Sequence, residues 1–260
     1  MPDTRPATIA FTREVSRSVA RCELTHVARA PIDVEAARAE HAAYERALAD
    51  VGCEVRRLPC DEEHPDAVFV EDTAVVLDEL AVIARPGAES RRGETAAVAE
   101  ALGTLRPLAR VVAPGTLDGG DVLRVGRRLY VGVGARTNGE GVAQLRAFAA
   151  PFGYDVRAVT TRGCLHLKSA VTAVADDLLL VNPDWVDPAA FDGLRTLAVD
   201  PTEPFAANAL LVNGRVLHGA HFPATRRHLE AAGVRVVPVP AAELAKAEGG
   251  VTCGCLLVRR

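Results

Sequence analysis

Residues 121–133 read DVLRVGRRLYVGV, two apolar strand patterns joined by the polar turn Gly126-Arg127. A helical pattern follows. The sequence GYDVRAV at residues 153–159 then provides a glycine at the helix end and a third strand with period-two alternation. This unit predicts a strand, a strand, a helix and a strand, in that order.

The same unit recurs along the chain. The other predicted strand pairs are Thr73–Leu77 with Val82–Arg85, Ala170–Ala175 with Leu178–Asn182, and Ala209–Val212 with Val216–His218. Glycine-closed helices are predicted at Val34–Val51 and Arg92–Leu102, and further third strands at 52–58 and 233–239. The first strand, Thr8–Phe11, and the last, Thr252–Val258, lack partners unless they pair with each other. Their pairing would complete a fifth unit and close a ring, in one α+β domain over residues 1–260.

Composition excludes several function classes. The chain has 260 residues, 49% of them hydrophobic, and a formal net charge of -4. Its basic residues are scattered among acids, which predicts no nucleic-acid partner and no polybasic membrane surface. No stretch approaches the roughly 20 apolar residues that span a bilayer, and residues 1–5 lack a signal core, so a cytoplasmic location is expected.

The sequence LDGGDVL at residues 117–123 is the strongest local site signature. Its glycines allow the backbone to approach a ligand closely, and a bend there can direct Asp118 into a cleft. Asp-Gly-Gly-Asp is also good turn chemistry, so a hairpin without function is the alternative.

Cys253 is the candidate nucleophile, because it follows the glycine-rich loop at residues 248–252 and precedes an apolar strand. Cys255 faces the same side of a regular strand and is the rival. The alternative is an inert buried thiol, as expected for most of the six cysteines, whose spacing predicts neither a metal finger nor disulfides.

His166 lies between two leucines at the entrance of a strand, where it can be a general acid and base or a structural group. Lys168 lies two residues after His166, on the same face of a regular strand, and we expect it to form a structural salt bridge. His26 is a second, weaker histidine candidate.

An acidic stretch contributes three further candidates, Asp66, Glu71 and Asp72, inside an apolar run. Buried carboxylates without partners are costly, so these residues lie at strand ends or hold a cation. Together with Asp118 they could surround a positively charged substrate group. The histidines lack the spacing of metal ligands, so no catalytic metal is expected.

Several strings together resemble the dimethylarginine dimethylaminohydrolase family over nearly the whole chain. They are residues 69–72, 85–87 with 90–92, 116–123, 136–138, 165–169 and 252–253. The fold of that family is the pentein, a five-bladed propeller of ββαβ units, in agreement with the repeat.

The resemblance implies roles for the candidates. Cys253 would be the nucleophile, His166 the general acid and base, and Asp118 the partner of that histidine or of the substrate guanidinium. Asp66, Glu71 and Asp72 would bind the guanidinium and amino ends, Arg91 and Arg136 the substrate carboxylate, and Leu24 and Ala247 would line the pocket with main-chain carbonyls. The implied reaction converts methylated arginines to citrulline through a covalent thiouronium, without a cofactor.

Some features of the chain leave alternatives open. Two residues leave the size of the pocket open: Glu248 stands where relatives often carry Asp, and the side chain of Ala247 is small. Arginine deiminases have the same chemistry but usually carry a helical insertion, agmatine deiminases need no carboxylate anchors, and amidinotransferases are longer. A non-catalytic pentein binding protein would not need Cys253, His166 and Asp118 together.

A homodimer is an open possibility, and residues 24–31 are expected to form a lid.

Overall fold

Five three-stranded sheets form the blades of a closed ring in a computed structural model that describes residues 8–259. In each blade the middle strand is antiparallel to the inner strand and parallel to the outer one. The expectation for residues 1–5 lies outside the described residues, as do both ends of the predicted 1–260 domain. That residues 1–260 form a single domain stays a prediction.

The strands are β1 (Thr8–Arg13), β2 (Cys53–Leu58), β3 (Ala74–Val76), β4 (Ala81–Ile83), β5 (Leu108–Arg110), β6 (Val122–Val125), β7 (Arg128–Val133), β8 (Asp155–Thr160), β9 (Val171–Ala173), β10 (Leu178–Val181), β11 (Arg195–Ala198), β12 (Ala209–Val212), β13 (Arg215–Gly219), β14 (Val236–Val239) and β15 (Leu256–Arg259). The α-helices are α1 (Val34–Asp50), α2 (Thr95–Gly103), α3 (Gly139–Ala149), α4 (Leu167–Ala170), α5 (Pro223–Ala231) and α6 (Ala242–Ala245). Short 3-10 helices cover Arg17–Arg21, Val70–Thr73, Glu89–Glu94, Gly119–Asp121, Ala150–Phe152 and Pro188–Ala190.

The two ends of the chain close the ring. Strand β1 pairs antiparallel with β15, from Thr8 opposite Arg259 to Phe11 opposite Leu256, and parallel with β2. The predicted pairing of the first and last strands is therefore confirmed. Ring closure removes free inner edges and places residues that are far apart in sequence around one axis.

The fourth blade departs from the predicted unit. Helices α1, α2, α3 and α5 connect the middle and outer strands of the other four blades, whereas the short 3-10 turn Pro188–Ala190 lies between β10 and β11. Asp187 caps this turn by accepting a hydrogen bond from the Ala189 amide. A proline at its first position fits the start of a turn but does not by itself extend it into a helix.

The C-terminal strand is shorter than predicted. The expectation was Thr252–Val258, but β15 begins only at Leu256. The Cys253 amide donates to the Gly250 carbonyl at 3.2 Å and the Cys255 amide to the Thr252 carbonyl at 3.4 Å, so the preceding residues form turns. Cys253 and Cys255 consequently do not share one face of a regular strand.

The inner strands of all five blades line a central cavity of about 260 Å³. Its lining also includes the polar residues Glu71, Lys168 and Thr252. Apolar clusters pack between neighbouring blades, for example Val75 and Val82 of the second blade against Val122 and Leu129 of the third. Among residues 8–259, no helix combines the length and hydropathy needed to cross a bilayer.

Candidate active site

Four inner strands begin with a short turn or helix at the same end of the ring. These turns precede β3, β6, β9 and β15, and they carry the candidates Asp72, Asp118, His166 and Cys253. Hydrogen bonds between the turns hold them together, which explains how residues from four blades converge.

His166 is buried between two carboxylates. Its Nε2 lies 3.0 Å from Asp118 Oδ2, and its Nδ1 lies 3.7 Å from Asp72 Oδ1. Burial alone would lower the pKa of His166, but the charge of Asp72, the hydrogen bond to Asp118 and the charge of Asp121 raise this pKa to about 9. The imidazole is therefore protonated at neutral pH.

Asp72 is held as a carboxylate. Its Oδ1 accepts the Gly120 amide at 3.0 Å, and its Oδ2 accepts Arg91 Nη1 at 2.6 Å. Burial opposes ionisation, yet the positive charges of His166 and Arg91 lower the pKa of Asp72 to about 2. The pair formed by Asp72 and His166 is thus ionised across the neutral range.

The Asp-Gly-Gly-Asp motif forms a 3-10 turn and not a hairpin turn. Asp118 accepts the Gly87 amide at 2.8 Å through Oδ1, in addition to its contact with His166. Asp121 accepts the Leu167 amide at 3.0 Å and the Thr137 hydroxyl at 2.7 Å. Burial raises the pKa of Asp121 to about 6. Asp121 was in the quoted motif but was not among the predicted site residues.

Both glycines of the motif are required because atoms of neighbouring turns lie where a Cβ would stand. A Cβ at Gly119 would lie 2.0 Å from the Glu71 carbonyl oxygen, and one at Gly120 would lie 2.5 Å from Asp72 Oδ1 and 2.8 Å from His166 Nδ1. The backbone of one blade can reach the carboxylate and imidazole of its neighbours only without these side-chain atoms.

Cys253 is a half-buried residue, and its thiol lies beside the carboxylates of Glu71 and Asp72. Its Sγ accepts the Gly250 amide at 3.3 Å, and its carbonyl accepts the Glu71 amide at 3.2 Å. Burial, followed by the charges of Glu71 and Asp72, raises the pKa of Cys253 to about 12. The rival Cys255 is buried in the apolar cluster around Tyr44 and Leu48. All six cysteines lie in the described range and are free thiols.

A polar network lies beneath Cys253. Lys168 Nζ donates to Glu71 Oε1 at 2.6 Å, which is the salt bridge expected for Lys168, and the Thr252 hydroxyl donates to Glu71 Oε2 at 2.6 Å. Asn208 accepts the Thr252 amide and donates to the Thr252 hydroxyl, both at 3.0 Å. Sequence reasoning missed Asn208, because a single asparagine before an apolar strand carries no distinguishing pattern.

Leu24 and Ala247 pack beside Cys253, whereas Asp66 contacts the residue just before Leu24. Asp66 is buried and its Oδ2 accepts the Glu23 amide at 3.2 Å, while burial raises its pKa. Leu24, Ala247 and Cys253 all pack in one apolar cluster. The structure therefore places Leu24 and Ala247 near the nucleophile candidate and joins Asp66 to Glu23, the residue before Leu24.

The two arginine candidates have different surroundings. Arg91 is buried, and its Nε and Nη2 donate to Glu94 and to the carbonyls of Asp66 and Phe69. Its Nη1 donates one N–H to Asp72, so the second N–H of Nη1 is the donor left to reach a ligand. Arg136 Nη2 lies 3.5 Å from Glu23 Oε2. Its Nη1 is buried and makes no hydrogen bond to a described residue.

Asp72, Asp118 and His166 offer ligand atoms within 4.8 Å of one another, a spacing that could hold a metal ion. Arg91 already neutralises Asp72 and His166 already pairs with Asp118, so this cluster has cationic partners of its own. His26, the second histidine candidate, is exposed on the loop at residues 24–31.

Comparisons with known proteins agree with this geometry. The sequence profile described as N,N dimethylarginine dimethylhydrolase, eukaryotic, matches residues 5–192. An N(G),N(G)-dimethylarginine dimethylaminohydrolase from Streptomyces coelicolor is 44% identical over 250 residues, covering 95% of this chain and 96% of its own. The chain belongs to the dimethylarginine dimethylaminohydrolase family.

The Pseudomonas aeruginosa member is 38% identical over 223 residues, which cover 85% of this chain and 88% of that protein. A structure of dimethylarginine dimethylaminohydrolase from the same organism, a cysteine-to-serine mutant complexed with citrulline, superposes with a TM-score of 0.93. Its sequence identity is 35%, and the match covers 97% of this chain and 99% of that one. The predicted pentein fold, an α+β ring of five blades, is confirmed.

Substituting the two glycines should have separable effects. Gly119→Ala meets backbone atoms that cannot move aside, so we expect the free energy of unfolding to fall by about 1–3 kcal/mol or more. Gly120→Ala meets side-chain atoms of Asp72 and His166 and should separate them, which lowers the pKa of His166 below about 9. Denaturant unfolding and an NMR titration of the imidazole measure the two effects.

Gly139→Ala is the matched control, because a Cβ there meets nothing within 4 Å. A Gly119→Ala protein as stable as Gly139→Ala, or an unchanged His166 titration in Gly120→Ala, would contradict this account of the motif.

Proposed function

We propose that this protein hydrolyses methylated arginines, asymmetric dimethylarginine and monomethylarginine, to citrulline and dimethylamine or methylamine. One observation carries the proposal. The thiol of Cys253 and the buried, protonated imidazole of His166 both face the carboxylate of Asp72, whose charge acts on each of them, in a cluster of carboxylates that favours a cationic ligand. The citrulline bound in the Pseudomonas aeruginosa structure supports the identity of the product.

The charge of the substrate would activate the nucleophile. Without a ligand, burial and the negative charges of Glu71 and Asp72 keep Cys253 as a thiol. A guanidinium cation beside these carboxylates offsets their charge and lowers the thiol pKa. The thiol proton leaves to solvent, because His166 already holds its proton at neutral pH.

The first half-reaction forms a covalent thiouronium. The Cys253 thiolate attacks the guanidinium carbon and forms a C–S bond. His166 gives its proton to the methylated nitrogen, the C–N bond breaks, and the amine leaves. Because Asp118 holds Nε2, Nδ1 is the nitrogen that delivers this proton.

The second half-reaction restores the enzyme. Neutral His166 takes a proton from a water molecule, whose oxygen attacks the thiouronium carbon. The remaining hydroxyl proton of the adduct passes to the departing sulfur as the C–S bond breaks, so citrulline leaves and Cys253 returns to a thiol, while the amine takes up the proton that the thiol first released to solvent. The sum is one methylated arginine and one water converted to citrulline and one amine.

The two ends of the amino acid would be bound separately. Arg136 is the principal anchor of the substrate carboxylate: its Nη1 has no hydrogen bond to a described residue, and its Nη2 already faces the carboxylate of Glu23. Arg91 can contribute through Nη1, although it chiefly holds Asp72.

Asp66 and the carbonyls of Leu24 and Ala247 would receive the ammonium group. Asp72 and Asp118 would face the guanidinium, and Glu71 would act on it from beneath Cys253 through its charge.

Other expectations stand as sequence-based inferences. We infer a single catalytic domain without a cofactor or a catalytic metal, a cytoplasmic location and no nucleic-acid partner. A homodimer is an assembly state to be tested by mass in solution.

Turnover assays test the function. The purified protein is incubated with asymmetric dimethylarginine, monomethylarginine, arginine or agmatine, and the ureido product and released amine are quantified. We expect the methylated arginines to be preferred, Cys253→Ser to lose turnover while still binding substrate, and Cys255→Ser to retain activity.

A preference for arginine or agmatine would assign a deiminase instead. An active Cys253→Ser with an inactive Cys255→Ser would overturn the nucleophile assignment, and the absence of product from all four compounds would favour a binding protein.

Arg136→Ala tests the carboxylate anchor. A lost charge-assisted fork is worth about 1.5–3 kcal/mol, so we expect KM for asymmetric dimethylarginine to rise roughly 10- to 100-fold. The decarboxylated analogue, dimethylagmatine, should be affected far less. Arg195→Ala, on an exposed side chain, is the control. Equal effects on both compounds would remove Arg136 from the carboxylate site.

A further inference from the structure

We propose that Glu248 latches the loop at residues 24–31 over the site and thereby aims the main-chain carbonyl of Leu24 at the ammonium group of the substrate. This proposal rests on the proposed function for the identity of that ligand. The latch itself is a contact between two segments of the chain that can be tested without turnover.

A single carboxylate oxygen carries the contact. Oε1 of Glu248 accepts the amide of Thr25 at 2.9 Å, the amide of Val27 at 2.6 Å, and the amide of His26 between them. Three successive N–H groups that converge on one point form a nest, a concavity that binds anions. Glu248 supplies that anion from a segment more than 200 residues away in sequence.

The backbone of Glu248 is fixed by the turn that ends helix α6. Its φ is +58°, in the left-handed region that non-glycine residues rarely adopt. The Glu248 amide donates to the Ala245 carbonyl at 3.1 Å, and the Gly249 amide donates to the Leu244 carbonyl at 3.0 Å. These two bonds are the pair of a Schellman motif, in which a left-handed residue ends a helix, so the end of α6 fixes the point from which the Glu248 side chain reaches the loop.

The latch fixes two peptide groups of the pocket. In a trans peptide the N–H and C=O of one unit point in opposite directions. Since the Thr25 N–H points at Glu248, the Leu24 carbonyl points away from it. Since the Glu248 N–H points at Ala245, the Ala247 carbonyl points away from Ala245. The contacts of Glu248 therefore orient both carbonyls that are expected to receive the ammonium group.

Other contacts hold different parts of the loop. Arg29 donates to the carbonyls of Ala20 at 2.9 Å and Cys22 at 2.6 Å, and Lys246 donates to the Pro31 carbonyl at 3.1 Å. Glu248 holds the stretch between these ends, next to Leu24. Its second oxygen, Oε2, is buried and has no hydrogen-bond partner among residues 8–259, which leaves an acceptor for a cationic group.

Two variants separate the latch from folding. Glu248→Gly removes the carboxylate and suits a positive φ, so the fold is kept. Glu248→Gln keeps an oxygen but loses the charge. Glu100→Gln, on the exposed face of α2, is the control for a lost charge.

Limited trypsin digestion, with the cleavage after Arg29 identified by mass spectrometry, reports loop opening without turnover. We expect Glu248→Gly to be cleaved roughly tenfold faster than the wild type, with Glu248→Gln intermediate and Glu100→Gln unchanged. Cleavage of Glu248→Gly at the wild-type rate would overturn the latch. The digestion reports on the latch whether or not the protein turns over methylated arginines. A protein that turned over none of them would refute the proposed function but not the latch.

Steady-state kinetics test whether Glu248 orients the main-chain carbonyl of Leu24. For Glu248→Gly we expect KM for asymmetric dimethylarginine to rise roughly tenfold with little change in kcat, and the desamino analogue to be nearly unaffected. An equal rise for both compounds would contradict the orientation of the Leu24 carbonyl, because the analogue has no ammonium group.

Discussion

The burial of carboxylates around one imidazole is the constraint on which the rest of the site depends. Asp72, Asp118 and Asp121 are buried together, and carboxylates out of water need positive partners. His166 and Arg91 supply these partners, so the imidazole is held protonated, while burial and the charges of Glu71 and Asp72 hold Cys253 as a thiol. The same charges that suppress the thiolate create a place for a cation, which joins ligand binding to activation of the nucleophile.

The ring makes this concentration of charge possible. Four of the five inner strands begin with a short turn or helix at one end of the molecule, and the glycines of the Asp-Gly-Gly-Asp motif allow these turns to touch. Beneath them, Glu71, Lys168, Thr252 and Asn208 form a polar layer that closes the central cavity below Cys253. Cys253, the proposed nucleophile, is therefore supported by rigid strands and bordered by a loop.

Periodicity was sufficient to predict the repeat and the pairing of the two chain ends, because strands and helices have different apolar periods. It could not locate the start of β15 at Leu256, since the preceding turns are closed by backbone hydrogen bonds that any residue can make. Chemical type and position in the motifs singled out Asp118, His166 and Cys253. Asn208, the partners of Arg91 and the contact of Glu248 with residues 25–27 depend on which turns meet in space, information that pattern alone does not carry.

The pH at which the Cys253 thiol ionises is the most direct measure of how the surrounding charges control it. Its ultraviolet absorbance, taken as the difference between the wild type and Cys253→Ser, is followed against pH with and without a saturating unreactive guanidinium ligand. Because the pKa of Cys253 is raised to about 12, the free protein should show no thiolate through the neutral range, and the cation should bring the transition to lower pH. A thiolate already present at neutral pH in the free protein, or a transition that the cation leaves unmoved, would contradict the account.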